Sequence, residues 1–135
     1  MIPKYKTKLE MLVNETLLPS DFSHLDHVGV AFEALQHHDF FDALAIIANG
    51  IQKLTIRANA HDKFNATITF VYMSVVAERM KAGNYVSIDD FLKQNSDLVK
   101  NPIVKIWYSK SRITSDIARS IPVLPDNVIQ HLHNG

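Results

Sequence analysis

Apolar residues recur at helical spacing through the first half of the chain and then fill one stretch almost completely. From Lys4 to Glu15, Tyr5, Leu9, Leu12 and Val13 form a stripe that stops before Leu17-Leu18-Pro19, which predicts a short first helix. Ser20, Asp21 and Ser23 each offer an N-cap for a second helix running to about Gln36. At 100° per residue, Leu25, Val28, Ala31, Phe32 and Leu35 share one face of it, with Asp26, Gly29 and Glu33 opposite. His24 projects into the middle of the apolar face and His27 onto its margin, so His24 is expected to be buried and directed inward. Asp39, with Asp42 three positions on, starts a third helix to about Ala58, whose buried stripe is Phe40, Leu44, Ile47, Ile51, Leu54 and Ala58. Gly50 in its middle costs about 1 kcal/mol against alanine, a cost consistent with a close helix crossing.

Phe64 to Ala77 then reads FNATITFVYMSVVA, fourteen residues without a charge, followed by Glu78-Arg79 and, at Gly83, a residue suited to a helix C-terminus. The β-branched content would suit a strand, but the run continues into strong helix formers, so Asn65 to Ala82 is predicted as a central helix covered on nearly every side. Beyond it the elements shorten. Ser87 and Asp90 frame Ile88 to Gln94; Asn101-Pro102 begins another helix, with Ile103, Ile106 and Trp107 facing in; Thr114 or Ser115 starts a turn through Ser120. Ile121 to Asp126, with two prolines, is predicted as an extended segment lying over the core, and 128–135 as a frayed tail. The prediction is one all-α domain over 1–135, a bundle-like core of four longer helices around the central apolar one, with short C-terminal helices.

Composition narrows the function classes. No cysteine is present, which removes disulfides, thiolate catalysis and thiolate metal sites and accords with a cytoplasmic protein. No segment reaches the roughly 20 apolar residues of a membrane span, so the expectation is a soluble protein without a membrane partner. Fourteen basic and fourteen acidic side chains cancel, which argues against nucleic acid as a partner. Their distribution is uneven: no Lys or Arg falls between Lys8 and Lys53, a stretch carrying seven acidic residues and four histidines, whereas Lys100 to Arg119 is basic. These are two solvated faces that attract each other within the fold or between subunits of a homo-oligomer, or else an acidic, His-rich lobe that favours a cation.

Phosphate loops, nucleophile elbows and calcium loops are missing from the sequence. What remains is His24-Leu-Asp-His27, two imidazoles on one side of a helix. With Glu78 they make a candidate divalent-metal set, with His61 as a further ligand and Asp26 as an orienter; the alternative is a hydrogen-bonded histidine in a helical core. His24, His27, Asn65, Thr69 and Tyr72 together are polar groups among apolar ones, as the wall of a small-molecule pocket requires. Trp107 and Tyr108 near Lys110 and Arg112 are core cover or the lining of an anion pocket.

The chain resembles a family of small all-helical bacterial proteins with no established activity. The resemblance lies in Phe22-Ser-His24-Leu-Asp-His27-Val28-Gly-Val-Ala31, in Phe64-Asn65-Ala66-Thr67-Ile68-Thr69, and in Tyr108-Ser109, Arg112, Ser115, Ala118-Arg119 and Val123-Leu124-Pro125-Asp126. It implies an all-α fold. The family's middle motif has His and Glu where this chain has Asn65 and Ala66, which weighs against metal and toward a neutral pocket or a purely structural core. Three readings follow: a helical small-molecule-binding protein, whether catalytic or not; a metal-dependent enzyme using His24 and His27; and a homo-oligomeric interaction protein without catalysis.

Overall fold

A computed structural model of the chain describes residues 3–100 and 102–127, so the expected tail at 128–135 and the cap at Asn101 lie outside the described residues. The protein is all-α, with eight α-helices and three 3-10 turns and no strand among the described residues. Four are the longer helices expected: α1 (Lys4–Val13), α2 (His24–His37), α3 (Phe40–Arg57) and α4 (Ala66–Ala82). The rest are α5 (Ile88–Gln94), α6 (Asp97–Lys100), α7 (Lys110–Ile113) and α8 (Asp116–Ser120).

Helix starts follow side-chain capping. Ser23, Asp39, Asn65, Ser87, Ser109 and Ser115 each accept a hydrogen bond from a backbone N–H inside the helix they precede. At α2 the cap is reciprocal, since Asp26 Oδ2 accepts from the Ser23 N–H at 2.9 Å. Helix ends depart more from expectation. Gly83 closes α4 with an extended backbone, φ −110° and ψ −179°, and the left-handed positions are instead Glu15 and Asn59, at φ 61° and 55°, just after α1 and α3.

The expectation that α4 would be the enclosed helix is not met. Of its apolar run only Thr67, Val71, Met73 and Val76 are buried, the others half-buried. α2 occupies the centre, touching α1, α3, α4, α5 and α6, whereas α4 packs on α2, α3 and α8. The face of α2 read as polar is covered because α1 lies on it. Tyr5 seats its ring on Gly29, where a Cβ would overlap the ring, and Lys8 reaches across to Asp26 at 2.8 Å. Asp26 is only 4% exposed, and its charge is kept by that ammonium and by the Ser23 cap. Leu12 lies over Gly50, where a Cβ would stand 2.6 Å from Leu12 Cγ, so the α1–α3 crossing does require that glycine.

α6 and α7 were not read as helices in the sequence. The Asn101-Pro102 signal leads into a 3-10 turn at Ile103–Ile106 rather than an α-helix, and Ile106 is 51% exposed. The segment after α8 is non-helical and lies over α4, as two prolines require. The Thr67 hydroxyl, fully buried, faces the carbonyls of Ala118 at 2.7 Å and Ile121 at 3.0 Å and accepts from the Val123 N–H at 3.1 Å. Tyr108 donates to Val123 O at 2.7 Å, Arg112 Nε to Leu124 O at 3.0 Å, and Ser109 N–H to Asp126 Oδ1 at 2.7 Å. Tyr108, Ser109, Arg112, Val123, Leu124 and Asp126, which carry much of the C-terminal part of the resemblance, are thus parts of one clasp. Among the described residues the ion pairs join Lys8 to Asp26, Lys53 and Arg57 to Glu15, and Arg79 to Asp97, and His37 Nε2 lies 3.3 Å from Glu33; none links the acidic stretch to Lys105, Lys110 or Arg119.

Candidate functional site

The site lies where the N-terminal halves of α2 and α4 face each other. α2 contributes His24, His27, Val28 and Ala31; α4 contributes Ile68, Thr69, Tyr72, Met73 and Val76; α3 closes the inner wall with Ile47 and Ile51. Lys63, Phe64 and Asn65, from the turn before α4, complete it. Together they enclose a cavity of about 150 Å³. Helical spacing accounts for the lining: Ile68, Tyr72 and Val76 stand at i, i+4, i+8 on α4, and His24, His27, Val28 and Ala31 at i, i+3, i+4, i+7 on α2.

The two histidines differ. His24 is exposed rather than buried, because it is the first residue of α2 and sits at the rim. Its Nε2 lies 3.0 Å from the Leu98 carbonyl oxygen, an acceptor, so Nε2 carries the proton of this bond. The ring meets Tyr72 edge-on at a centroid distance of 5.1 Å. Leu98 is held there by its neighbour: Asp97 takes two 2.8 Å bonds from the Arg79 guanidinium, which fixes α6 against the end of α4. Arg79 therefore serves this clamp.

His27 is the inward histidine. It packs against Phe22 at a centroid distance of 4.3 Å and stands 6.2 Å from the His24 ring. Burial, and then the nearby His24, pull its imidazole from 6.5 down to about 4, with Asp26 acting weakly the other way. At neutral pH it is an uncharged ring with one nitrogen donor and one acceptor. Neither nitrogen has a hydrogen-bond partner among the described residues. No fully enclosed side-chain polar atom among the described residues lacks a partner, so these nitrogens are not sealed in the core, and the ring is one of the groups that line the cavity.

The remaining polar groups are engaged in the fold. Asn65 accepts from the Ile68 N–H at 3.0 Å and donates to Ile113 O at 2.8 Å; it is the cap of α4 and its tie to α7. Thr69 donates to Asn65 O at 2.9 Å. Burial raises the Tyr72 hydroxyl above the ordinary phenol value, against a backbone hydrogen bond from Ile103. All five residues expected to wall a pocket line this cavity. Its apolar members and Lys63 were not foreseen as site residues; Ile47 and Ile51 carry the signal of core stripe only, and Lys63 none.

The three-residue metal set is not assembled. Glu78 lies with Phe70, Ser74, Val75 and Trp107 along a separate groove under the C-terminal segment, because it stands on another face of α4 from Tyr72 and Val76. Among the described residues no group of three His, Asp or Glu side chains is arranged to hold an ion. Trp107 and Tyr108 belong to that second groove, together with Pro122, Leu124 and Pro125. No described helix is long and apolar enough to cross a membrane. Comparison with protein-family models, curated proteins and solved structures finds no match for this chain.

Proposed function

We propose that the protein binds a small organic molecule in the cavity between α2 and α4, with the His27 imidazole as the group that orients it. The observation that carries this reading is an unpartnered, neutral imidazole among the residues lining a cavity whose inner wall is apolar. An engineered apolar cavity of about 150 Å³ in another protein holds a benzene-sized molecule, which sets the scale of the ligand. A polar group left facing such a space gains roughly 1 kcal/mol or more when a ligand supplies its missing hydrogen bond. His24 and Tyr72 also line an adjoining, more open depression, with Val99 and Pro102.

The metal reading has less support, because His24 Nε2 is already committed to Leu98 and a third ligand is missing from the described residues. A homo-oligomer keeps one observation in its favour: Lys105, Lys110 and Arg119 have no carboxylate partner among the described residues. Molecular mass measured in solution at low and high salt tests it. A salt-sensitive dimer is expected if these charges pair between subunits, and a monomer throughout removes the reading.

Titration with benzyl alcohol, followed by the methyl resonances of Val28, Ile47, Ile51 and Met73, tests the pocket. Saturable shifts confined to these methyls, with a raised melting temperature, are expected. They should vanish in Ala31→Leu, which fills the cavity from a position only 3% exposed. Absence of any saturable shift in the native protein would overturn the reading.

A further inference from the structure

The charges around the cavity distinguish among ligands of equal size. Fourteen side chains line it and none is Asp or Glu; the one charged residue is Lys63, exposed at the mouth just before α4. The adjoining depression behind His24 and Tyr72 likewise has no acid, and its one charged residue is Lys100. The deep end is apolar, with Val28, Ile47, Ile51 and Val76, so a charge carried to the bottom would lose its hydration without compensation. An ammonium group would find no carboxylate at either level. An acid whose charge stays at the mouth would find Lys63, beside the N-terminal end of α4, whose cap Asn65 lines the cavity and whose first turn holds no acid. Asp26, the nearest carboxylate to His27 in sequence, is turned to Lys8 and the Ser23 cap and does not line the cavity.

We propose, on the basis that the cavity is a ligand site as argued above, that its ligand class is the small monocarboxylic acid with a compact apolar body. The body fills the space between α2, α3 and α4, and the carboxylate remains at the mouth, where it accepts from Lys63 and from the N–H of the His27 ring, both of which line the cavity. The size of the cavity limits the body to about one six-membered ring or a short branched chain. A single lysine at the mouth favours one carboxylate over two.

Three probes of similar shape separate this inference from the reading beneath it: benzoate, benzyl alcohol and benzylamine, titrated at about pH 7, where the first carries a negative and the last a positive charge. Benzoate is expected to bind about fivefold tighter than benzyl alcohol, with benzylamine weakest, and the preference should shrink as salt is raised. Lys63→Met should bring benzoate down to the affinity of benzyl alcohol while leaving benzyl alcohol unchanged; Lys100→Met should leave both unchanged. Equal binding of acid and alcohol, or a benzoate preference that survives Lys63→Met, would overturn the acid inference and leave the pocket standing. Failure of all three probes to bind would instead remove the pocket itself.

Discussion

α2 and α4 invite opposite readings from their residues, and the fold reverses them. α2 carries two histidines, Asp26, Glu33 and a glycine, yet Val28, Gly29, Val30, Ala31, Phe32 and Ala34 are all buried and five helices surround it. α4 contains the chain's longest uncharged stretch, yet most of it is half-buried, one side bordering the cavity and another the groove beneath Pro122 to Pro125. A polar face can be enclosed when each polar group is given a partner, as Asp26 is by Lys8 and Ser23, and when a glycine lets a neighbour approach. An apolar helix that is left partly uncovered has surface to spare for something other than folding. α2 is enclosed by its neighbours, and α4 keeps partly uncovered apolar surface.

The sharpest way to break this contrast is to place one charge on each helix. Val30→Asp, at a site 0% exposed on α2, should abolish cooperative melting, since an unpaired buried carboxylate costs several kcal/mol. Val75→Asp, on the half-buried groove side of α4, should still give a cooperatively melting protein. Loss of folding in both, or in neither, would remove the distinction.

Next in size is the α1–α2 contact. Lys8→Met leaves Asp26 buried without its ammonium and should destabilise by about 3 kcal/mol in denaturant titration. The loss should be smaller in acid, because native Asp26 is held below the ordinary carboxylate value and protonation removes the charge that Lys8 compensates. Burial alone would raise the Asp26 value; the hydrogen bonds from Lys8 and Ser23 outweigh it.

His27 gives a comparable effect with its own pH signature. Its folded value, about 4, lies below the unfolded 6.5, so the unfolded chain binds the extra proton first. Stability from this group is therefore intact above about pH 6.5 and falls by roughly 3 kcal/mol in all as pH drops to about 4. His27→Leu should flatten that part of the pH–stability profile, and an unchanged profile would contradict the burial of this ring. The smallest effect belongs to the clasp on α4: Thr67→Val should cost about 2 kcal/mol by removing the partner of the Val123 N–H and of the carbonyls of Ala118 and Ile121.

The contrast also shows why some features were legible in the sequence. α2, α3 and α5 were readable because stripe and cap coincide, at Ser23, Asp39 and Ser87, α1 from its stripe alone, and α4 from its uncharged run. The extended segment after α8 was readable because proline restricts it. The short helices α6 and α7 were not, because a single turn has no period to detect and its start depends on long-range partners, such as Asp126 on Ser109. Which helix would be enclosed was not legible either: it depended on Tyr5 meeting Gly29 and Lys8 meeting Asp26, contacts between elements that neither helix announces alone. The site was half legible. Polar residues at helical spacing pointed to the cavity, but the order of burial of His24 and His27 is inverted, because the helix begins at His24 and its ring turns to Leu98 instead of the core.

The central claim is that His27 is a neutral, unpartnered imidazole that receives a ligand. Nitrogen-15 spectra of the histidine rings at about pH 6, with and without saturating benzyl alcohol, test it most directly. The account predicts that His27 is neutral in the free protein and that its ring nitrogen shifts on saturation, while His24 keeps its Nε2 proton on Leu98. A charged His27 at that pH, or saturable binding that leaves its nitrogens unmoved, would contradict it.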